Sequence, residues 1–226
     1  MARNKKYQEI KKKIDPSKIY SLDEAIDFIK KNPAAKFDES IEIHITLDID
    51  PSKTEQQIHG SVILPAGTVK KRKIVAFVTL AKREEAKQAG VDIVGGIDLI
   101  EKINETGKCD FDMAIAEPAM MKDLARIAKI LGPKGLMPNP KSETITTDIK
   151  KTVKELTGGK INFKNDPQGI IHQAIGKVSW PVENIKKNAL SFLEAVKKAK
   201  PQTVKGNFIK NITISSTMGP SIKIQI

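Results

Sequence analysis

Hydrophobic positions recur along this chain with three different spacings. From Ser40 to Asp48 the period is two, with Ile41, Ile43, Ile45 and Leu47 alternating with Glu42, His44, Thr46 and Asp48. That is the pattern of a strand with one face in a core and one polar face. From Ile74 to Thr79 the alternation is gone and the run is continuously apolar, as in a strand covered on both faces. Elsewhere apolar residues return every three or four positions. Leu22, Ala25, Ile26 and Ile29 predict a helix opened by a capping box of Ser21 and Glu24 and closed by Pro33. Lys82 to Ala89, stopping at Gly90, Ile97 to Ile103, after Gly95-Gly96, and Met121 to Leu131 read as helices in the same way. Between them lie short apolar strands, Val91 to Val94 and Phe111 to Ala116. A further helix around residues 148–157 stops at Gly158-Gly159.

Beyond Gly159 the half-buried style returns. Lys160 to Lys164, Ile170 to Val178, Phe208 to Ser216 and Ser221 to Ile226 read as strands, the last two closing as a hairpin around Thr217-Met218-Gly219-Pro220. Ser179-Trp180-Pro181 introduces a long helix with Val182, Ile185, Ala189, Phe192, Leu193 and Val196 on one face. Gly60 to Leu64 is another short strand, and residues 1–19, rich in lysine and broken at Asp15-Pro16, read as a basic helix or arm. Half-buried strands at both ends thus enclose fully buried strands in the middle. The economical arrangement is an α+β domain with an open antiparallel sheet built from both termini, residues 1–67 and 159–226. An α/β domain, Rossmann-like and three-layered, is then inserted at residues 68–158. Insertion at a surface loop is tolerated because the ends of such a loop already lie close together. Two sequential domains are the alternative, but residues 1–67 alone are short of core.

Composition narrows the function. Aromatics are only 4% of the 226 residues, so the core must rest on aliphatic side chains. The net charge of +12 favours a polyanionic partner, because each cation that meets a phosphate releases a condensed counterion. The excess is uneven. Residues 1–67 hold 11 basic and 11 acidic residues and residues 68–158 hold 17 and 13, whereas residues 159–226 hold 11 basic against Asp166, Glu183 and Glu194. A single cysteine, Cys109, fits a reducing compartment. No apolar run approaches membrane-spanning length, and no apolar signal segment follows the basic start. A cytoplasmic protein with no membrane partner is expected.

No catalytic constellation emerges. His44, His59 and His172 are scattered, and neither His-x-x-x-His nor Cys-x-x-Cys occurs, so neither a metal nor a cofactor is expected. Thr79 leads to Leu80-Ala81-Lys82-Arg83 rather than to a glycine-rich cradle, and Gly132-Pro133-Lys134-Gly135 follows a helix where a phosphate loop would precede one. The chain is therefore read as a non-enzyme.

Three clusters carry groups suited to RNA. Lys164 to Gly169 offers a cation, the Asn165 amide and the Asp166 carboxylate, which can accept from a ribose hydroxyl or a guanine edge; the same residues also make an ordinary turn. Thr217-Met218-Gly219 offers a hydroxyl, a flexible apolar arm and a residue that permits close backbone approach, and is equally a plain hairpin turn. Phe37, between Lys36 and the strand that begins at Ser40, is placed either to stack on a nucleotide or to pack at a core edge. All three clusters fall in the terminus-built domain, and an open sheet with polar side chains in front is a common RNA platform.

These segments resemble one family. Leu131-Gly132-Pro133-Lys134-Gly135-Leu136-Met137-Pro138-Asn139-Pro140-Lys141 is similar to the signature of the L-one family of large-subunit ribosomal proteins. Lys36-Phe37-Asp38-Glu39, Asn165-Asp166 with Gly169, and Thr217-Met218-Gly219-Pro220 match its other hallmarks in order. Glu117-Pro118-Ala119 departs from the family's usual Thr-Pro-acidic start. The resemblance covers essentially the whole chain. It implies two domains, with the principal RNA site on the terminus-built one, and a protein that is monomeric when free. Its implied partners are large-subunit ribosomal RNA at the mobile lateral stalk, exit-site tRNA whose release the stalk assists, and a leader in the protein's own messenger that mimics the ribosomal site and represses translation. By motif, the resemblance carries RNA contact onto Lys36, Phe37, Ser40, Glu42, Lys164, Asn165, Asp166, Gly169, Thr217, Met218 and Gly219. His172 and Thr213, on the same strands, join them. The signature at 132–141 is implied to be mainly architecture with secondary RNA contact. The competing readings are an enzyme using Lys134 or Lys141 on a phosphorylated metabolite, and a basic protein with no RNA preference.

Overall fold

In the computed structural model, residues 5–16, 18–51, 53–69, 73–140, 144–204 and 206–225 are described. Lys141, the last residue of the signature segment, lies outside them, as do the four residues before Lys5. Helix α1 (Lys5–Lys12) comes first, followed by the two-residue strand β1 (Tyr20–Ser21) and helix α2 (Leu22–Lys31). Ser21 caps α2: its hydroxyl accepts from the Glu24 amide at 3.3 Å while the Glu24 carboxylate accepts from the Ser21 amide at 3.2 Å. Strands β2 (Ser40–Leu47) and β3 (His59–Ile63) follow. The middle of the chain supplies β4 (Ile74–Phe77), α3 (Arg83–Gln88), β5 (Ile93–Gly95), α4 (Ile97–Thr106), β6 (Met113–Ala116), α5 (Met121–Leu124), α6 (Ala128–Leu131) and α7 (Ile149–Thr157). The last part supplies β7 (Lys160–Lys164), β8 (Ile170–Lys177), the long helix α8 (Val182–Lys198), β9 (Ile209–Ser216) and β10 (Ile222–Gln225).

The chain divides into two compact units, one made of residues 1–69 and 159–226, the other of residues 70–158. The first unit carries a five-stranded sheet in the order β1-β10-β9-β2-β8 and a separate two-stranded ribbon of β3 and β7. The sheet is antiparallel except at one edge, where β1 runs parallel to β10. β2 is central, and its alternation is realised in full: Ile41, Ile43, Ile45 and Leu47 are buried and the residues between them are half-buried. Behind it pack Leu22, Ala25, Ile26 and Ile29 of α2 and Ile185, Ala189, Phe192, Leu193 and Val196 of α8. Because both helices cover one face, the polar face of the sheet is left for other uses.

Register adds what periodicity cannot. Between Ile41 and Glu42 the pairing with β8 skips a residue, Glu42 facing Ala174 while Ile41 faces Gly176. Ile175 is thus bulged. Its carbonyl is taken by the Asn188 Nδ2 of α8 at 2.8 Å. Asn188 is fully buried, and its Oδ1 accepts from the Ala66 amide at 2.9 Å. Nearby the Leu64 amide donates to the Gly159 carbonyl at 3.0 Å, and Gly159, at φ +111°, has the Leu64 carbonyl where a Cβ would point. The two places where the first unit's chain stops and resumes are therefore directly bonded.

The second unit is a parallel three-stranded sheet in the order β5-β4-β6. Val75 and Phe77 of β4 enter one core with α4, α5 and α6, while Ile74 and Ala76 enter another with α3 and α7. Helices on both faces explain the unbroken apolar runs. Several bounds differ from the sequence expectation. The helix anticipated over Met121 to Leu131 is interrupted by a 3-10 turn at Ala125–Ile127, β4 ends at Phe77, β5 and β6 each begin two residues late, and β5 takes in Gly95. Gly95 lies against Leu99, leaving no room for a side chain there.

Candidate nucleic-acid interface

The register of the five-stranded sheet sets its polar face. Glu42 lies opposite Ser215 and Ala174, His44 opposite Thr213 and His172, and Thr46 opposite Asn211 and Ile170. Lys223 of β10 continues the His44 row beyond Thr213. His172 and Thr213 thus flank one residue, His44, which alternation had put on this face but no motif had singled out.

At one end of the face two loops are tied together. The Thr217 amide donates to the Ser40 carbonyl at 3.0 Å, and the Ser40 amide donates to the Thr217 hydroxyl at 3.0 Å. Glu39, only 1% exposed, accepts from the Met218 amide at 3.2 Å and from the Ala34 amide at 3.3 Å. A buried carboxylate with two amide donors is a strong local clamp. The clamp holds Phe37 (58% exposed) and Met218 (57% exposed) in solvent, on loops joined to each other. Phe37 therefore does not pack at a core edge. Gly219 has ordinary backbone geometry; what it avoids is a side chain colliding with the Ser216 hydroxyl. Lys36 is exposed and Glu42 half-buried. Asp38 is occupied otherwise, accepting from the Ser179 hydroxyl at 2.9 Å and the Ser179 amide at 3.1 Å, with the Lys177 ammonium 3.6 Å away. Those bonds from Ser179, helped by Lys177, hold its carboxyl below the usual aspartate value.

At the other end of β2 the turn after β7 is built by its own polar groups. Asn165 Oδ1 accepts from the Ile58 amide at 2.7 Å, and its Nδ2 donates to the Asp166 carbonyl at 2.9 Å. Asp166 Oδ1 accepts from the Ile170 amide at 2.8 Å and the Gln168 amide at 2.9 Å. The Ile170 bond first, then the Gln168 bond and His172, keep this carboxyl below its ordinary value despite some desolvation. Gly169 sits at φ +75°, a conformation that favours glycine, and a Cβ there would lie 3.3 Å from Ile49. Asn165, Asp166 and Gly169 thus shape the turn, and Lys164 is its exposed cation.

A polar chain joins that turn to the middle of the face. Asp166 Oδ2 lies 3.4 Å from His172 Nε2, His172 Nδ1 lies 2.8 Å from His44 Nδ1, and His44 Nε2 lies 3.1 Å from the Ser215 hydroxyl. One imidazole must donate and the other accept across the 2.8 Å contact, so the pair cannot be doubly protonated without breaking it. Burial, then the neighbouring His172, push the His44 pKa down, with Glu42 opposing. Sequence reasoning missed His44, Ser215 and Glu39. The period-two pattern held the signal for His44, whereas the burial of Glu39 has no local signal.

In the second unit the signature loop is anchored at Leu136 to Pro138, while Gly132 to Gly135, Asn139 and Pro140 are exposed. Leu136 and Met137 lie against the core, Gly135 is at φ +68°, and the Lys134 ammonium donates to the Gly107 carbonyl at 3.2 Å. At the carboxyl ends of β4 and β6, where open α/β sheets commonly bind ligands, Glu117 accepts from the Thr79 amide and hydroxyl, and Lys82 lies 3.3 Å from it. Lys82 also donates to the Thr147 carbonyl at 2.8 Å. Among the described residues no cluster of three metal-ligating side chains occurs, and no helix is long and apolar enough to cross a membrane.

Comparison with known proteins adds a further finding. A family model described as the ribosomal protein L1p/L10e family matches residues 29–220. The chain is 48% identical over 222 residues to the large ribosomal subunit protein uL1 of Kosmotoga olearia, covering 98% of this chain and 96% of that one. It is 48% identical over 223 residues to the protein of that name from Mesoplasma florum, covering 99% and 98%. The Thermosipho africanus protein is 48% identical over 221 residues, covering 98% and 95%.

Proposed function

The chain belongs to the ribosomal protein L1p/L10e family, and from that premise we propose that its open sheet face is the site that grips ribosomal RNA at the lateral stalk. It is a structural protein of the large ribosomal subunit and not an enzyme. One observation carries the reading of the site. The clamp of Glu39 and Ser40 on Met218 and Thr217 holds two exposed apolar side chains, Phe37 and Met218, beside a face of hydrogen-bonding groups. Exposed apolar arms next to polar strands suit splayed bases and ribose edges. Lys36 and Lys164 supply cations at opposite ends, and Glu42, Thr213 and His172 supply directional groups between them.

Asn165, Asp166 and Gly169 belong to this site chiefly as builders, because their polar groups are already engaged. The terminus-built unit, residues 1–69 and 159–226, is proposed as the RNA-binding domain, and residues 70–158 as an inserted domain that adds secondary contact. Through the stalk, the protein assists release of deacylated tRNA from the exit site. The same face binds a leader in its own messenger and represses translation. In the cytoplasm the free protein is a monomer.

Binding of a large-subunit ribosomal RNA transcript containing the stalk base tests the site. Met218→Ala is expected to weaken binding at least about tenfold, equivalent to ~1.4 kcal/mol, with unchanged thermal unfolding. Thr217→Ala is expected to weaken it at least as much while also lowering stability, because the Thr217 hydroxyl accepts from the Ser40 amide. Affinity equal to the unsubstituted protein in both variants refutes the assignment. Competition by bulk tRNA as effective as the specific transcript would favour a basic protein with no preference. For the regulatory role, the protein is expected to inhibit cell-free translation of its own messenger, and Met218→Ala to relieve that inhibition.

A further inference from the structure

A groove of about 930 Å³ lies at one side of the same sheet face, between α1 with the segment that follows it and the strands β9 and β10. Its floor includes Asn211 and Thr213, which belong to the polar face of the sheet. Its rim carries four lysines, Lys11, Lys12, Lys18 and Lys223, against a single carboxylate, Asp15. Lys18 stands 4.8 Å over the Tyr20 ring. Lys11, Lys12 and Lys223 are exposed, and no ion pair ties any of them to a carboxylate among the described residues. Some lysines elsewhere on this unit are neutralised, as Lys186 is by Asp23 at 2.6 Å and Lys210 by Asp48 at 2.8 Å. Lys11, Lys12 and Lys223 also fall outside residues 29–220, the stretch shared with the family model.

We propose that this groove is a second RNA subsite, which takes the phosphodiester backbone of a strand continuing off the sheet face. The proposal rests on the reading of that face as the RNA site. Two features favour a nucleic-acid strand. The groove is continuous with the face through Thr213 and through Pro220, which directly follows the Thr217-Met218-Gly219 turn. Its charge is also concentrated on flexible ammonium groups, which neutralise phosphates as point charges and read no sequence. The floor contributes hydroxyl and amide groups for ribose or phosphate oxygens. The sheet face thus supplies discrimination and the groove supplies affinity and salt dependence.

The test measures how binding of the full chain to the stalk-base transcript falls with salt. Each phosphate contact contributes about 0.7–0.9 to the slope of log K against log salt. Lys11→Gln/Lys12→Gln/Lys223→Gln is expected to reduce that slope by about two and to lower affinity at least about tenfold. The Lys→Arg triple variant keeps the charge and is expected to keep the slope. Met218→Ala serves as the control for the face: it is expected to lose affinity with its slope unchanged. If the triple Gln variant unfolds, Lys12→Gln alone is measured, with an expected loss of just under one in slope. A wild-type slope and affinity in the Gln variant, with Met218→Ala impaired, overturns the groove and leaves the face intact. An inert Met218→Ala together with a shallower Gln variant overturns the face and keeps the groove as a phosphate site. A wild-type slope combined with poor incorporation into large subunits would assign the groove to an acidic protein and overturn the RNA proposal.

Discussion

Asn188 shows how one side chain can hold together three parts of a domain. Its amide reaches the bulged Ile175 carbonyl and the Gly67 carbonyl as donor and the Ala66 amide as acceptor, all from a fully buried position. Each buried group left without a partner costs about 1–3 kcal/mol, so Asn188→Ala is expected to destabilise the first unit by at least ~2 kcal/mol, read as a lower denaturant midpoint. Asn188→Asp should be no better, since a carboxylate cannot donate to two carbonyls. His44 makes a different prediction. Its folded pKa is depressed by burial and by His172, while Glu42 opposes and Asp166 faces the far side of His172. Protonation therefore favours the unfolded chain. Stability is full above the unfolded histidine value of about 6.5 and falls as pH drops below it. Unfolding free energy measured from pH 8 to 5 should decline through that window, and His44→Asn should flatten the decline. The lowered carboxylates act in a separate, more acid window: what Asp38 and Asp166 contribute is lost only as pH falls below about 3.8. Both histidines were visible in the sequence; that they touch was not, because 128 residues separate them.

Among the elements, α2 is the one most fully written in local sequence. Its capping box, its apolar spacing and its end before Pro33 all appear in the structure. Ser21→Ala is expected to cost about 1 kcal/mol, lowering the melting temperature without changing RNA affinity, since α2 packs on the face of the sheet opposite the polar one. Strand β2 was equally legible, because alternation fixes which residues face the core. Strand β7 was legible as a strand, but its partner was not. It pairs with β3 in a separate ribbon rather than joining the main sheet, a choice made by packing of Phe163 against Phe192 and over Gly60, where a side chain would strike the ring. The interrupted stretch at Met121–Leu131 has helical periodicity throughout, yet the core below it draws in Met120, Leu124, Ile127 and Leu131 through a tighter turn.

For the whole molecule, the bond between Leu64 and Gly159 gives the domain proposal a direct test. Deleting residues 70–158 and rejoining the chain through a short glycine linker is expected to leave a cooperatively unfolding protein that protects the same nucleotides in the stalk-base transcript. Each of the two units has its own aliphatic core, which is the physical condition for independent folding. An unfolded remainder in circular dichroism would sink the insertion scheme. A folded remainder with a displaced footprint would move the RNA site onto residues 70–158. The charge distribution belongs to this scale as well. Along the sequence the basic excess lies mainly after residue 159, yet folding brings Lys11 and Lys12 from the neutral first third beside Lys223 in one groove.

The sequence by itself determined most of the strands and helices, though not β1 or the break at Ala125–Ile127, together with the two strand styles and the family, because periodicity, caps and motifs are local and survive without coordinates. Tertiary structure alone decided which polar groups are available to a partner. Asp166 and Asn165, read as RNA contacts, spend polar groups on building a turn; Glu39, marked only by its place in the Lys36-Phe37-Asp38-Glu39 segment, is a buried clamp. Burial and hydrogen-bond partners depend on segments far apart in the chain, and no local pattern encodes them.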